Sequence, residues 1–246
     1  MHRFFVLEKF DTGMSVNITG DDYNHLKNAL RIKEGEELEI CDGYENVYLA
    51  KLYEYQNTSA KIEILLKIPV NNEPVCKITL YAALLKGDKF DTVIQKCIEC
   101  GADMIQPMVT CNTVVEVTDK KEARKVERWN RISHMASMQS KRGKIVRVCE
   151  PKTLDACTKQ FSHDSITLVC YEYEESYSIK AALHEAVTHS VKNINIMIGP
   201  EGGFTEKEIG LLKESGAYAV TLGKRILRAE TASVAAVFYC TCEYEL

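Results

Sequence analysis

The sequence predicts an α/β protein in which a small N-terminal β-barrel precedes a mostly parallel sheet with helices on both faces. Residues 1–70 hold short alternating or aromatic-rich runs with one helical interruption. From Ile78 onward, short apolar runs alternate with amphipathic stretches, the pattern of strands joined by crossover helices. A polar stretch bounded by Pro69 and Pro74 separates the two. We therefore divide the chain into a barrel over 1–70, a linker over 71–76 and an α/β domain over 77–246.

In the barrel, strands are expected at Arg3 to Val6, Glu37 to Cys41, Tyr44 to Tyr53 and Ser59 to Ile68. Asp42-Gly43 is a hairpin turn signal between two of them. One helix should start at an Asp21 or Asp22 N-cap, bury Tyr23, Leu26 and Leu30, and stop near Gly35. In the second domain, strands are expected at Ile78 to Leu84, Met104 to Val109, Ile166 to Tyr171, Ile194 to Ile198 and Ala219 to Leu222. The helices between and after them should span Lys89 to Cys100, Lys120 to Gln139, Ile179 to Val187, Glu206 to Ser215 and Thr231 to Cys242. Thr205-Glu206-Lys207-Glu208 is a capping box and marks where the fourth of these helices begins.

With 246 residues, 46% hydrophobic and 27% charged, the chain has the composition of a folded globular protein. The apolar run Ile78 to Leu85 is too short for a bilayer, and Glu8 interrupts the N-terminus before a secretory stretch develops. A cytosolic location is expected, so the ten cysteines read as reduced thiols, mostly small core residues. Cys97 and Cys100 fall on a helical stripe rather than in a metal-binding loop, and the six histidines lack ligand spacing; no metal site is expected. Net charge is −4, yet between Lys120 and Arg147 ten basic residues face two acidic ones. That block has the sign of a phosphate-binding face. Trp129 lies on the stripe with Val126, Ile132 and Ala136 and reads as core.

Two glycine-punctuated loops follow predicted strands: Ile198-Gly199-Pro200-Glu201-Gly202-Gly203-Phe204 and Leu222-Gly223-Lys224-Arg225-Ile226-Leu227-Arg228-Ala229-Glu230-Thr231. Glycine tolerates positive φ and lets backbone approach a ligand closely. No GxGxxG follows a strand and Gly223-Lys224-Arg225 is not a phosphate loop, so dinucleotide and nucleoside-triphosphate readings fall away. An adenosyl group held by backbone amides suits the loops better.

The two loops, with Arg3-Phe4-Phe5, the His25 to Arg31 helix end, Leu85 to Phe90 and Gln139-Ser140-Lys141-Arg142, closely resemble the RsmE family, SPOUT-class methyltransferases of N3 of a uridine in 16S ribosomal RNA. The resemblance implies a SPOUT α/β-knot, a deep trefoil knot with a mostly parallel sheet, and a PUA-like, RNA-binding β-barrel. It implies S-adenosylmethionine as cofactor, small-subunit RNA or the small ribosomal subunit as partner, and a homodimer formed through the last helix, whose Ala232, Ser233, Ala235 and Ala236 give a thin face. Main chain and side chains at Leu85, Ile198, Gly199, Pro200, Glu201, Gly203, Leu222, Gly223, Ile226, Leu227 and Thr231 are expected around the cofactor. Arg228 and Glu230 are expected to orient the uracil, with Glu201 or Glu230 as base. Arg3, Arg31, Arg128, Gln139, Arg142 and Arg225 are candidate RNA contacts. Four positions depart from the family pattern: Lys141 stands where glycine is common, Lys224 for proline, Ala229 for threonine and Met138 for glutamate. Rival readings are a SPOUT enzyme acting on a ribose 2′-oxygen or another RNA, and a non-catalytic assembly factor.

Overall fold

In the computed structural model residues 1–69, 72–114 and 119–246 are described, the side chains of 119–122 excepted. The linker expected over 71–76 thus starts, at Asn71, outside the described residues, as do the side chains of Lys120 and Lys121. The chain divides into two units: Met1–Glu73 with Ser137–Ile145, and Pro74–Ala136 with Val146–Leu246. The excursion of residues 137–145 into the first unit was not expected from the sequence.

The first unit is a five-stranded, half-barrel sheet in the order β1-β3-β4-β5-β2, from β1 (Arg3–Phe5), β2 (Ser15–Thr19), β3 (Glu37–Cys41), β4 (Val47–Tyr55) and β5 (Ser59–Ile68). β1 pairs parallel with β3 and the other neighbours are antiparallel. Phe4, Leu38, Ile40, Leu52 and Ile62 are fully buried in its core. β2 alternates exposed and buried residues, with only Val16 and Ile18 turned inward, too few apolar positions to stand out in sequence. The expected Asp42-Gly43 turn is present: Asp42 Oδ1 accepts from the N–H of Tyr44 (2.7 Å) and Asn46 (3.1 Å), and Gly43 takes φ +81. Helix α1 (Gly20–Asn24) runs into a π turn, His25–Ala29. Its N-cap is Thr19, and Asp21 and Asp22 lie in the first turn rather than capping it.

The segment 137–145 is bound into this unit by charge and packing. Arg142, 2% exposed, gives Glu73 two hydrogen bonds at 3.0 and 2.8 Å. Arg3 pairs with Glu39 and donates to the carbonyls of Lys141 and Arg142. Met138 fills the core, and Gly143 packs so closely on Glu45 that a Cβ there would lie 3.2 Å from its Cα.

The second unit is a wholly parallel sheet in the order β12-β10-β11-β6-β7-β8, with β9 also on β7. Its strands are β6 (Lys77–Ala83), β7 (Met104–Val109), β8 (Arg147–Val148), β9 (Lys152–Thr153), β10 (Ser165–Cys170), β11 (Asn193–Ile198) and β12 (Tyr218–Val220). Alternate residues feed two layers. Ile194, Ile196, Ile198, Ile78 and Leu80 join the cluster under α2 (Lys89–Glu99), α5 (Ile179–Thr188) and α7 (Ala229–Glu245). Met197, Tyr81 and Val169 join the layer under α4 (Leu154–Thr158) and α6 (Glu206–Glu214). The capping box is complete: Thr205 Oγ1 accepts from Glu208 N at 3.3 Å and Glu208 Oε2 accepts from Thr205 N at 2.8 Å. α7 returns from the sheet edge to pack on α2, α5, β6 and β11, and its small residues Ala232, Ser233 and Ala236 are buried in that packing. Trp129, on α3 (Asp119–Gln139), packs at a tilt against Phe90, ring centroids 4.9 Å apart, in the core. No helix among the described residues is long and apolar enough to cross a membrane.

Candidate active site

β10, β11 and β12 are neighbours, and the loops leaving their carboxyl ends surround a cleft of about 430 Å³. That position, outside the strand ends of an open parallel sheet, is where such folds hold ligands, and the volume suits a nucleoside-sized molecule. The β11 loop contributes Ile198 to Glu201 with Gly203 and Phe204, the β12 loop Thr221 to Arg228, and the β10 end Cys170, Tyr171 and Glu172.

Local chemistry fixes both glycine loops. A Cβ at Gly199 would stand 3.1 Å from the Phe204 ring, Gly203 takes φ +67, and Asn112 Nδ2 donates to the carbonyls of Gly202 (2.9 Å) and Gly203 (3.1 Å). Gly223 takes φ +113, with its N–H donating to Thr221 Oγ1 at 3.1 Å. A side chain at 199 would crowd the Phe204 ring, and one at 203 would sit in a backbone conformation that favours glycine. Apolar walls come from Ile198, Leu222 and Leu227. Burial pushes the Cys170 thiol up to about 12, which keeps it protonated and unsuited to nucleophilic attack.

Family models match the same two parts: an RNA methyltransferase PUA domain over residues 18–65 and an RNA methyltransferase domain over residues 71–240. The ribosomal RNA small subunit methyltransferase E of Bacillus subtilis is 32% identical, with 100% of this chain and 98% of the relative covered. This chain belongs to the ribosomal RNA small subunit methyltransferase E family. Two family-like solved structures share its fold. The methyltransferase E of Neisseria gonorrhoeae, bound to S-adenosyl methionine, is 30% identical with a TM-score of 0.89 over 99% of this chain and 98% of that one. A putative methyltransferase of Legionella pneumophila, in complex with the same cofactor, is 26% identical with a TM-score of 0.86 over 98% and 96%. The α/β-knot class with a PUA-like unit is thereby the fold of this chain.

Of the positions the family resemblance assigned to the cofactor, Ile198, Gly199, Pro200, Glu201, Gly203, Leu222, Gly223, Ile226 and Leu227 line the cleft, and Leu85 and Thr231 do not. Leu85 is buried just past β6, and Thr231 is exposed on the first turn of α7. Ile226 is 88% exposed at the mouth. Lys89, Tyr171, Glu172, Lys224, Ala229 and Ala232 also line it. The signal for Tyr171 and Glu172 was their place at the carboxyl end of a predicted strand.

Three acids are candidates for proton chemistry, and their surroundings differ. Glu201 accepts from Lys89 Nζ at 2.9 Å and from Lys86 N at 3.4 Å. Burial works against its charge, but these donors prevail and hold its carboxyl below the usual range. Glu230, on the first turn of α7, buries Oε2 without a hydrogen-bond partner among the described residues. Glu172 is exposed and accepts no hydrogen bond among the described residues.

The RNA candidates separate in the same way. Arg225 and Arg228 are exposed and line the cleft. Arg31 is exposed at φ +54, an unusual conformation for a non-glycine residue. Gln139 is exposed. Arg128 is half-exposed and bridges Asp88 (3.1 Å) and Asp91. Arg3 and Arg142, expected as RNA contacts, are instead buried and paired with Glu39 and Glu73. Lys141 and Lys144 pair with Glu39 and Glu45, so the end of the basic block is largely neutralised inside the first unit. Lys141 takes φ +57, which accounts for glycine being common there.

Proposed function

We propose that this chain methylates N3 of a uridine in 16S ribosomal RNA of the small subunit, using S-adenosylmethionine, in the cytoplasm and as a homodimer. The observation that carries the reading is the cleft that both glycine loops line at three adjacent strand ends, in a chain that matches a methyltransferase E over its full length.

When bound, S-adenosylmethionine supplies an electrophilic methyl group. The backbone at Ile198–Gly203 and Leu222–Leu227 holds the adenosyl portion. N3–H of uridine is a weak acid, so the reaction needs a base and charge stabilisation. Glu230 is the better base of the two expected: its buried Oε2 has no hydrogen-bond partner among the described residues, whereas Glu201 is committed to Lys89 and Lys86. Arg228 orients the uracil, and Arg225 and Arg228 meet oxyanion or phosphate charge. Arg128 in the second unit, and Gln139 and Arg31 in the first, each contact RNA. Arg3 and Arg142 serve it by fixing the 137–145 segment that carries Gln139. The partner subunit is met by the α7 face left open, where Phe238 is 57% exposed; light scattering of the purified chain should give twice the monomer mass.

The test is methylation of small-subunit RNA, and of subunits, from a strain lacking the activity, followed by mapping of the modified nucleoside. N3-methyluridine at one site is expected. Methyl on a ribose 2′-oxygen, or none with either substrate, would overturn the reading.

A further inference from the structure

The cleft carries more positive than negative charge, although the methyl donor that the proposed function places there is itself a cation at sulfur. Its charged lining residues are Lys89, Lys224, Arg225 and Arg228 against Glu172 and Glu201. Glu201 is already paired with Lys89 at 2.9 Å. Glu172 is thus the one lining acid that, among the described residues, has neither ion pair nor hydrogen bond. Its position is nevertheless defined. It lies two residues past the end of β10, and its carboxylate lies against Gly203, where an added Cβ would meet Glu172 Oε1. The carboxylate thus stands between the β10 and β11 loops, over the open face of Gly203.

From this arrangement we infer that Glu172 is a specificity-determining residue, its carboxylate opposing the sulfonium charge so that the cleft holds S-adenosylmethionine in preference to S-adenosylhomocysteine. Methyl transfer breaks one S–C bond and forms one N–C bond, while the electron pair of the broken bond stays on sulfur and the N3 proton goes to the base. Sulfur ends neutral. Donor and product then differ by one methyl group and one unit of positive charge, and a nearby anion is what reads that charge. Ligand filling the cleft displaces water from around the carboxylate, which strengthens the attraction relative to the open site. With Lys224, Arg225 and Arg228 disfavouring a cation, loss of Glu172 removes the compensating charge.

The inference rests on the proposed use of S-adenosylmethionine, and calorimetry on the full chain separates the two. Wild-type protein is titrated with S-adenosylmethionine and with S-adenosylhomocysteine, then Glu172→Gln and Glu172→Asp in the same way. Glu172→Gln should weaken the donor about tenfold, as for loss of one interaction with a charged group, and the product by less than about twofold. Glu172→Asp, which keeps the charge, should retain the preference for the donor. Equal weakening of both ligands by Glu172→Gln would assign the carboxylate to the ribose or methionyl portion common to both and overturn the inference. So would unchanged binding of both, or a Glu172→Asp protein that has lost the preference. Wild-type protein that binds neither ligand would instead defeat the proposed function.

Discussion

The barrel-side unit and the cleft of the α/β unit use the same residue types to opposite ends. In the first, Arg3, Lys141, Arg142 and Lys144 meet Glu39, Glu45 and Glu73, and the two arginines are almost wholly buried. In the second, Arg225 and Arg228 stand exposed at the cleft, and Glu230 buries an oxygen that has no partner among the described residues. A charge satisfied by protein stabilises a fold; a charge left unsatisfied at a cleft is available to a ligand. Sequence position does not distinguish them, since Arg3 and Arg142, like Arg225 and Arg228, lie in the stretches that carry the family resemblance.

The sharpest way to break that contrast is at Glu230. A buried acceptor without a donor costs stability, so Glu230 Oε2, which has none among the described residues and follows the cleft-lining Ala229 in sequence, needs a functional account. Glu230→Gln removes the proton acceptor while keeping shape. Single-turnover methylation should fall at least about 100-fold, with S-adenosylmethionine affinity by calorimetry nearly unchanged. A variant of undiminished rate would move the proton to another group.

Arg142→Ala tests the other side. Breaking a buried pair strands a carboxylate, here Glu73, and costs about 3–5 kcal/mol. Denaturant unfolding of the full chain should show that loss, with hydrogen exchange placing it in residues 1–73 and 137–145. If Arg142 were chiefly an RNA contact, stability would hold and only RNA affinity would drop.

The same contrast marks what could be read in the sequence. The parallel strands, the capping box at Thr205–Glu208 and both glycine loops were legible because each is a local pattern: an apolar run, a four-residue cap, a glycine pair. β2 was not, since two inward residues make no period, and the two-residue strands β8 and β9 are defined by their pairing with β7 alone. The fates of Arg3 and Arg142 depend on acids 36 and 69 residues away, and such pairing leaves no local trace. Glu172 escaped notice because its meaning comes from Gly203 on another loop.

Arg128 lies between the two extremes, paired with Asp88 and Asp91 yet half-exposed. Its pairs are solvent-screened and contribute little to folding. Arg128→Ala should therefore leave unfolding nearly unchanged and reduce the slope of log affinity against log salt by about one, as for one phosphate contact. A filter-binding series with small-subunit RNA from 50 to 200 mM salt measures it. An unchanged slope would group Arg128 with the structural arginines.

The smallest effect is expected at Glu201, whose partner Lys89 is 38% exposed. Partly exposed pairs of this kind contribute about 0.2–1 kcal/mol. Because the folded-state pKa of Glu201 is lowered, its contribution is present above the ordinary glutamate value of about 4.3 and is lost as pH falls through the lower, folded value. The melting temperature of Glu201→Gln should accordingly lie slightly below wild type at pH 7, and the gap should close below about pH 4. A gap as large as that of Arg142→Ala would mean that Lys89 and Glu201 act as a buried pair, and the division between satisfied and available charge would no longer follow exposure.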